Sequence, residues 1–102
     1  MENLKKESEI QIELSDEIAQ GTYSNLAIIS HSTSEFVIDF IRIVPGVPKA
    51  KVKSRIILTP EHAKRLLMAL KDNIDKFEQQ NGAIRIQSDQ GFLPPIGGIG
   101  QA

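Results

Sequence analysis

Two histidines, a run of hydroxyl residues and an aspartate are the side chains that could perform acid–base or nucleophilic chemistry. His31, Ser32 and Asp39 include the three residue types of a hydrolase triad. No G-x-S-x-G turn surrounds Ser32, however, and hydroxyl residues at positions 30, 32, 33 and 34 are typical of a turn whose side chains hydrogen-bond the nearby backbone. We therefore favour a turn, and we expect no catalytic residue and no enzymatic activity.

The number and spacing of the potential ligands argue against a metal site. His31 and His62 are the only imidazoles, and with Glu35 or Asp39 they could contribute ligands, but the chain has no histidine pair spaced i, i+4. The absence of cysteine excludes thiolate ligands and disulfides. We expect no metal and no cofactor, and we expect His62 to be a polar residue in the first turn of a helix.

The alternating basic residues Lys49, Lys51, Lys53 and Arg55 are the candidate contact for an anion or a nucleic acid. Sheets that bind single strands carry aromatic residues on the same face, whereas the pairing predicted below puts the phenylalanines of the preceding strand on the other side. We favour lysines that solvate a face or protect a strand edge from aggregation. A nucleic-acid-associated accessory protein that uses this basic strand face is the alternative.

The elements that must position these residues are four strands and a helix. Alternation of polar and apolar residues at 9–14 is typical of a half-buried strand, and 15–21 breaks it, with room for a short helical turn. Apolar and β-branched stretches continue at 23–31 and 35–44, and alternation resumes at 50–58. We predict strands over these four ranges.

The third and fourth predicted strands are expected to form a hairpin about Val47. Its register places Phe36 opposite Leu58, Ile38 opposite Ile56, Asp39 opposite Arg55 and Arg42 opposite Val52. A shift by one residue would set the apolar side chains beside lysine and arginine, so the hydrophobic pattern itself selects this register.

A helix is predicted to begin at Thr59-Pro60-Glu61, which combines a capping hydroxyl, a proline at the first position and an acid near the positive helix end. Asn81-Gly82 should end it in the left-handed conformation. Between them, apolar residues recur at steps of three and four and form one stripe: Ala63, Leu66, Leu67, Leu70, Ile74 and Phe77. The predicted fold class is α+β, an antiparallel four-stranded meander sheet followed by one C-terminal amphipathic helix packed on one sheet face.

One helix cannot cover both sides of a sheet. If it covers the side with Phe36, Ile38 and Phe40, the other side still carries the apolar residues Val37, Ile41, Ile43 and Ile57. Such a patch usually marks an interface, so we expect these four residues to mediate a homo-oligomer, a dimer or a tetramer. The alternative is a monomer in which Asp39, Lys53 and Arg55 solvate this side.

The length and net charge of the chain limit its domain organisation and its partners. The chain of 102 residues is sufficient for one domain, which we place at 9–87, between a flexible N-terminus at 1–8 and a flexible Gly/Pro-rich tail at 88–102. The net charge of −1 provides no general attraction to nucleic acid or lipid. A charged N-terminus and the lack of a long apolar run indicate a cytoplasmic protein with no membrane partner.

Several motifs resemble a known family. Gly21-Thr22-Tyr23-Ser24-Asn25, Ser30-His31-Ser32, the segment 35–40 and the segment 58–64 together resemble the prokaryotic family called domain of unknown function 3467. The resemblance spans about 10–82, and it implies a small domain but no activity or ligand. From the residues themselves we expect a non-catalytic module that binds a protein partner or assembles, and that self-associates through its sheet.

Overall fold

The computed structural model describes residues 9–87, so the expected flexible ends at 1–8 and 88–102 lie outside the described residues. The elements in chain order are α1 (Asp16–Ala19), β1 (Leu26–His31), β2 (Phe36–Arg42), β3 (Lys51–Leu58) and α2 (Pro60–Asn81). The strands form one antiparallel sheet in the order β1-β2-β3. The α+β class, the antiparallel sheet and the C-terminal helix are confirmed, but the sheet has three strands, not four.

The missing strand is the segment 9–14, which lies outside all regular elements. Its apolar side chains are directed to solvent: Ile10 is 84% exposed and Ile12 is 90% exposed. Alternation specifies on which side each residue falls once a strand is paired. It does not specify where the neighbouring strand is, and within the described protomer this segment has none.

The turn between β1 and β2 is formed by its hydroxyl residues, as predicted. The N–H of Ser32 donates to the carbonyl of Glu35 at 2.9 Å. Oγ of Ser32 accepts from the N–H groups of Ser34 and Glu35, each at 3.2 Å. The turn sets β1 against β2 with His31 opposite Phe36.

The predicted register between β2 and β3 is confirmed from Phe36 opposite Leu58 to Asp39 opposite Arg55. A β-bulge follows Phe40, so Ile41 lies opposite Val52 and Arg42 opposite Lys51. The predicted pairing of Arg42 with Val52 is therefore wrong by one residue. The bulge inserts an extra residue into one strand, which a regular alternation cannot anticipate.

The connection from β2 to β3 contains a tight turn at Val44–Val47. The N–H of Val47 donates to the carbonyl of Val44 at 3.1 Å, and Pro45 and Gly46 occupy the two central positions. Gly46 has φ of 83°, which a type II turn requires at its third residue and which other residues adopt at a cost.

Helix α2 begins as predicted: Oγ1 of Thr59 accepts from the N–H of His62 at 3.2 Å, and Pro60 is the first helical residue. It ends at the predicted residue but in another conformation. Gly82 has φ of 88° and ψ of 166°, so the chain leaves the helix extended rather than through the left-handed helical region. Its N–H donates to the carbonyl of Glu78 at 2.9 Å.

The predicted packing of the helix on the sheet is wrong within the protomer, because α2 has no buried residue. The connection explains this. Only Thr59 separates the end of β3 from the start of α2, whereas a helix that folds back over its own sheet usually follows a loop of about two to six residues. The helix therefore has no loop with which to reverse the chain.

Within residues 9–87, no helix therefore forms a covering layer on either side of the sheet. We call the side with Phe36, Ile38 and Phe40 the phenylalanine face, and the side with Val37, Asp39 and Ile41 the Asp39 face. The register adds Ile29, Ile56 and Leu58 from the neighbouring strands to the phenylalanine face. It adds Ile28, Arg55 and Ile57 to the Asp39 face. Ile28, Ile38 and Ile41 are the buried hydrophobic residues of the described chain. Neither helix of 9–87 is long and apolar enough to cross a membrane.

Candidate functional site

The four predicted interface residues lie on or next to the Asp39 face but differ in burial. Val37 is half-buried opposite Ile57, which is 55% exposed. Ile41 is already buried inside the protomer, and Ile43 is half-buried just beyond the end of β2. Of the four, Val37 and Ile57 are the pair that a partner could contact directly.

An ion pair occupies the middle of the same face. Nε and Nη2 of Arg55 donate to Oδ1 and Oδ2 of Asp39 at 2.6 and 2.8 Å, and the side chains are 62% and 14% exposed, respectively. The hydrogen bond from Arg55 is the main cause that lowers the pKa of Asp39. Arg55 is thus engaged in the sheet, and the structure separates it from the three lysines with which the sequence grouped it.

The phenylalanine face is also accessible. Ile29 and Ile56 flank Ile38 on its two neighbouring strands, and both are exposed. Phe36 is half-buried and stacks on His31, with ring centroids 5.2 Å apart and an interplanar angle of 23°. His31 is therefore part of this apolar surface.

The predicted apolar stripe is present on α2 and is exposed along its length. Leu66, Leu67, Leu70, Ile74 and Phe77 are exposed, whereas Ala63 is half-buried near the junction with β3. Ion pairs Glu61–Arg65, Lys71–Asp75 and Asp72–Lys76 hold the polar part of the helix at N–O distances of 2.6, 2.9 and 3.1 Å. A helix with one solvated side and one apolar side is suited to packing against another apolar surface.

Four basic residues surround a shallow cavity of about 180 Å³ at the turn end of the sheet, which we call the basic concavity. It is lined by Arg42, Val44, Val47, Lys49, Lys51 and Lys53. Within residues 9–87, these cations have no carboxylate partner in an ion pair. The guanidinium carbon of Arg42 lies 5.9 Å from the centre of the Tyr23 ring, which leaves its N–H groups able to bind an anion.

Three of the four predicted basic residues are therefore brought together, and Arg42 takes the place of Arg55. Sequence reasoning missed Arg42 because it assumed an unbroken register, in which Arg42 falls opposite Val52. The bulge instead sets Arg42 opposite Lys51, one residue nearer the turn. The signal available in the sequence was Arg42 at the end of one predicted strand, followed by the basic residues of the next strand.

The candidate triad is not assembled. The register places His31 on the phenylalanine face and Asp39 on the other side of the sheet, and Asp39 is bound by Arg55. Ser32 is engaged in its turn. His62 lies in the first turn of α2, as expected, and the described residues contain no group of three or more potential metal-binding side chains.

Ser24 and Asn25, which sequence reasoning did not single out for any role, join the start of β1 to the end of β2. Oγ of Ser24 donates to the carbonyls of Leu26 and Ile41 at 3.0 and 2.9 Å. Oδ1 of Asn25 accepts from the N–H of Ile43 at 2.8 Å, and Nδ2 donates to its carbonyl at 3.0 Å. These bonds give the two residues a structural role.

Comparison with known proteins agrees with the resemblance seen in the sequence. The model of one family, described as "Protein of unknown function (DUF3467)", matches residues 1–86, most of the chain. No curated protein and no solved structure matches. The match includes Ser24 and Asn25, whose side chains bond to the end of β2, the whole sheet and α2. The chain therefore belongs to the DUF3467 family of proteins of unknown function.

Proposed function

We propose that this protein is a non-catalytic assembly module that self-associates through its sheet and its helix to form a platform for a protein partner. The observation that carries the proposal is a 22-residue amphipathic helix without one buried residue, beside a sheet on which no helix of residues 9–87 packs. Nothing in this arrangement supports a catalytic role.

The physical argument concerns stability. Most helical stability in proteins comes from packing of an amphipathic side, and a small sheet needs a packed face. In the described chain three hydrophobic residues are buried, whereas nineteen large ones are exposed. Burying one large aliphatic side chain stabilises a fold by about 1.5–3 kcal/mol, so association would provide the core that the isolated protomer lacks.

The apolar stripe of α2 and the phenylalanine face match in length. The stripe from Ala63 to Phe77 covers about 21 Å of helix at 1.5 Å per residue. The seven residues of β2 span about 20 Å from first to last at 3.3 Å per step. One stripe can therefore cover the phenylalanine face of a second copy, and a two-fold axis would apply the same contact twice. The Asp39 faces would remain free to join two dimers or to bind a partner.

Light scattering on the purified protein tests the proposal. We expect a mass of two or four times the 11.3 kDa protomer, unchanged between low and high salt, because the contacts are apolar. A folded monomer, shown by a helical circular dichroism spectrum at the protomer mass, would overturn it. A variant with Leu67→Lys and Leu70→Lys should lower the mass.

A second candidate function is association with nucleic acid, favoured by the basic concavity. Fluorescence anisotropy with a labelled oligothymidine should then show binding that weakens steeply as salt rises, since counterions are released. Lys49→Glu with Lys51→Glu should abolish it, while Lys64→Glu on α2 should not. Binding that is absent at low salt, or equal in all variants, would reject this function.

A further inference from the structure

The segment 9–14 has the pattern of a strand but no neighbour. Glu9, Gln11 and Glu13 alternate with Ile10, Ile12 and Leu14, and all six residues are exposed. No hydrogen bond joins the backbone of this segment to another part of the described chain. The family model nevertheless includes these residues, so they belong to the unit that defines the family.

The sheet offers two edges where such a strand could add. Within residues 9–87, β1 and β3 each pair on one side only, so alternate backbone groups on their outer sides are free to bind another strand. The residues of β1, Leu26–His31, include no lysine or arginine. β3, in contrast, carries Lys51, Lys53 and Arg55.

Charge selects β3. Glu9 and Glu13 would repel no side chain of β3 and, on the Asp39 face, would lie near Arg55, where opposite charges on adjacent strands are stabilising, whereas Lys51 lies opposite Arg42 on the phenylalanine face. Arg55 uses Nε and Nη2 for Asp39 and is 62% exposed, so its remaining N–H groups can bind a second carboxylate.

The alternation of side chains along the segment 9–14 is consistent with its pairing with β3. With the acids on the Asp39 face beside Arg55, the pleat puts Ile10, Ile12 and Leu14 on the phenylalanine face, next to Ile56 and Leu58. The apolar face would then be four strands wide. The opposite orientation would place isoleucine beside arginine on one face and glutamate beside Ile56 on the other.

We propose that residues 9–14 of one protomer add as a fourth strand to the outer edge of β3 in a second copy of this chain. The segment is connected to β1, which lies at the opposite edge of its own sheet from β3. A second copy supplies a β3 edge without requiring the chain to cross its own sheet. The inference rests on the proposed self-association and names one of its contacts.

Cross-linking tests it, because the natural chain has no cysteine. Two single-cysteine variants, Gln11→Cys and Lys53→Cys, are mixed, unfolded and refolded together, and treated with a short bismaleimide. One variant carries a mass tag so that the mixed product is identified. We expect the mixed covalent dimer to be the main product.

Gln11→Cys mixed with Ser30→Cys is the matched control, since Ser30 lies on β1 at the other edge. The doubly substituted chain, Gln11→Cys with Lys53→Cys, diluted into an excess of cysteine-free protein, reports pairing within one chain. A product with Ser30 in place of Lys53, an intramolecular product only, or no product with Lys53 would each overturn the proposal.

Light scattering on the same samples separates this inference from the proposed function. An oligomer without the 11–53 product refutes strand addition alone, whereas a folded monomer refutes both. Gln11→Pro combined with Ile12→Pro is a second check that does not depend on reagent geometry. Neighbouring residues of a strand direct their N–H groups to opposite edges, so one of the two prolines removes a donor to β3; the pair should abolish the contact and, because both positions are exposed in the protomer, leave the helical circular dichroism signal unchanged.

Discussion

Arg55 holds Asp39 across β2 and β3 with two hydrogen bonds, on a sheet face that neither described helix covers. Since this contact lowers the pKa of Asp39, the carboxylate binds its proton less tightly in the folded chain than in the unfolded chain. The pair therefore contributes stability above the unfolded pKa of about 4, and that contribution is lost as pH falls through the lower folded pKa.

Urea unfolding at a series of pH values from neutral to acid measures this dependence. Asp39→Asn should be less stable than the natural protein at neutral pH, and the difference should shrink as the solution becomes acidic. If the difference between the two proteins stayed constant over the acid range, the lowered pKa of Asp39 would not be the cause.

Removal of the cap of α2 should destabilise the protein measurably. Thr59→Ala removes the hydroxyl that accepts from the N–H of His62, which typically costs about 1 kcal/mol of unfolding free energy. Ser15→Ala removes the corresponding bond to Ile18 at the start of the four-residue α1 and should cost less, because little structure depends on it. Equal losses in chemical unfolding would contradict this ranking.

The exit from α2 makes Gly82 hard to replace. Its combination of positive φ and extended ψ is a region that only glycine adopts readily, and other residues there cost on the order of 1–3 kcal/mol. A Cβ would meet no atom within 4 Å, so the penalty is in the backbone alone. Gly82→Ala and Gly82→Asn should be similarly destabilised in thermal unfolding. A well-tolerated asparagine would instead indicate a left-handed helix end.

The apolar stripe of α2 should control assembly, and a neighbouring residue provides the control. Leu67 lies on the stripe and is 60% exposed, and Met68 lies off it and is 63% exposed. Leu67→Lys should shift the dissociation constant of the oligomer upward by tenfold or more, whereas Met68→Lys should leave it nearly unchanged. Sedimentation velocity at several concentrations compares the two, and an equal shift would exclude the stripe as a specific contact.

Two isoleucines of the Asp39 face should respond differently to the same change. Ile57→Lys alters an exposed residue on the face that would join two dimers, so it should lower the mass from that of a tetramer to that of a dimer while the protomer stays folded. Ile41→Lys introduces a charge at a buried position and should unfold the chain. Light scattering together with circular dichroism distinguishes these results. An unchanged mass for a folded Ile57→Lys protein would show that this face is not an interface.

The predictions from sequence succeeded where the determining interactions are local. The register from Phe36–Leu58 to Asp39–Arg55 follows from alternation on two strands joined by a short connection. The start of α2 follows from Thr59 and Pro60. Each of these features depends on residues whose neighbours are nearby in the chain or opposite in the hairpin.

The predictions failed where the determining partner is distant. Alternation at 9–14 and the stripe on α2 both indicate burial, but a sequence pattern does not say against which surface, or in which copy of the chain. The site shows the same limit on a smaller scale: Lys53 is the extra residue of the bulge in β3, which sets Arg42 opposite Lys51 at the basic concavity, while Arg55 bonds to Asp39 and does not line it.

The amide of Asn25 makes the two bonds to Ile43 that a peptide group of a further strand residue would make, and so it ends the β1–β2 ladder with a side chain. The hydroxyl of Ser24 also bonds to Ile41, so the chain before Ser24 leaves the sheet at a fixed point. The preceding residues form an arm. When this arm joins or leaves another molecule, its movement would end at this point. Subunit exchange should consequently proceed without unfolding of the sheet, so that its rate is set by the arm and not by the stability of the protomer.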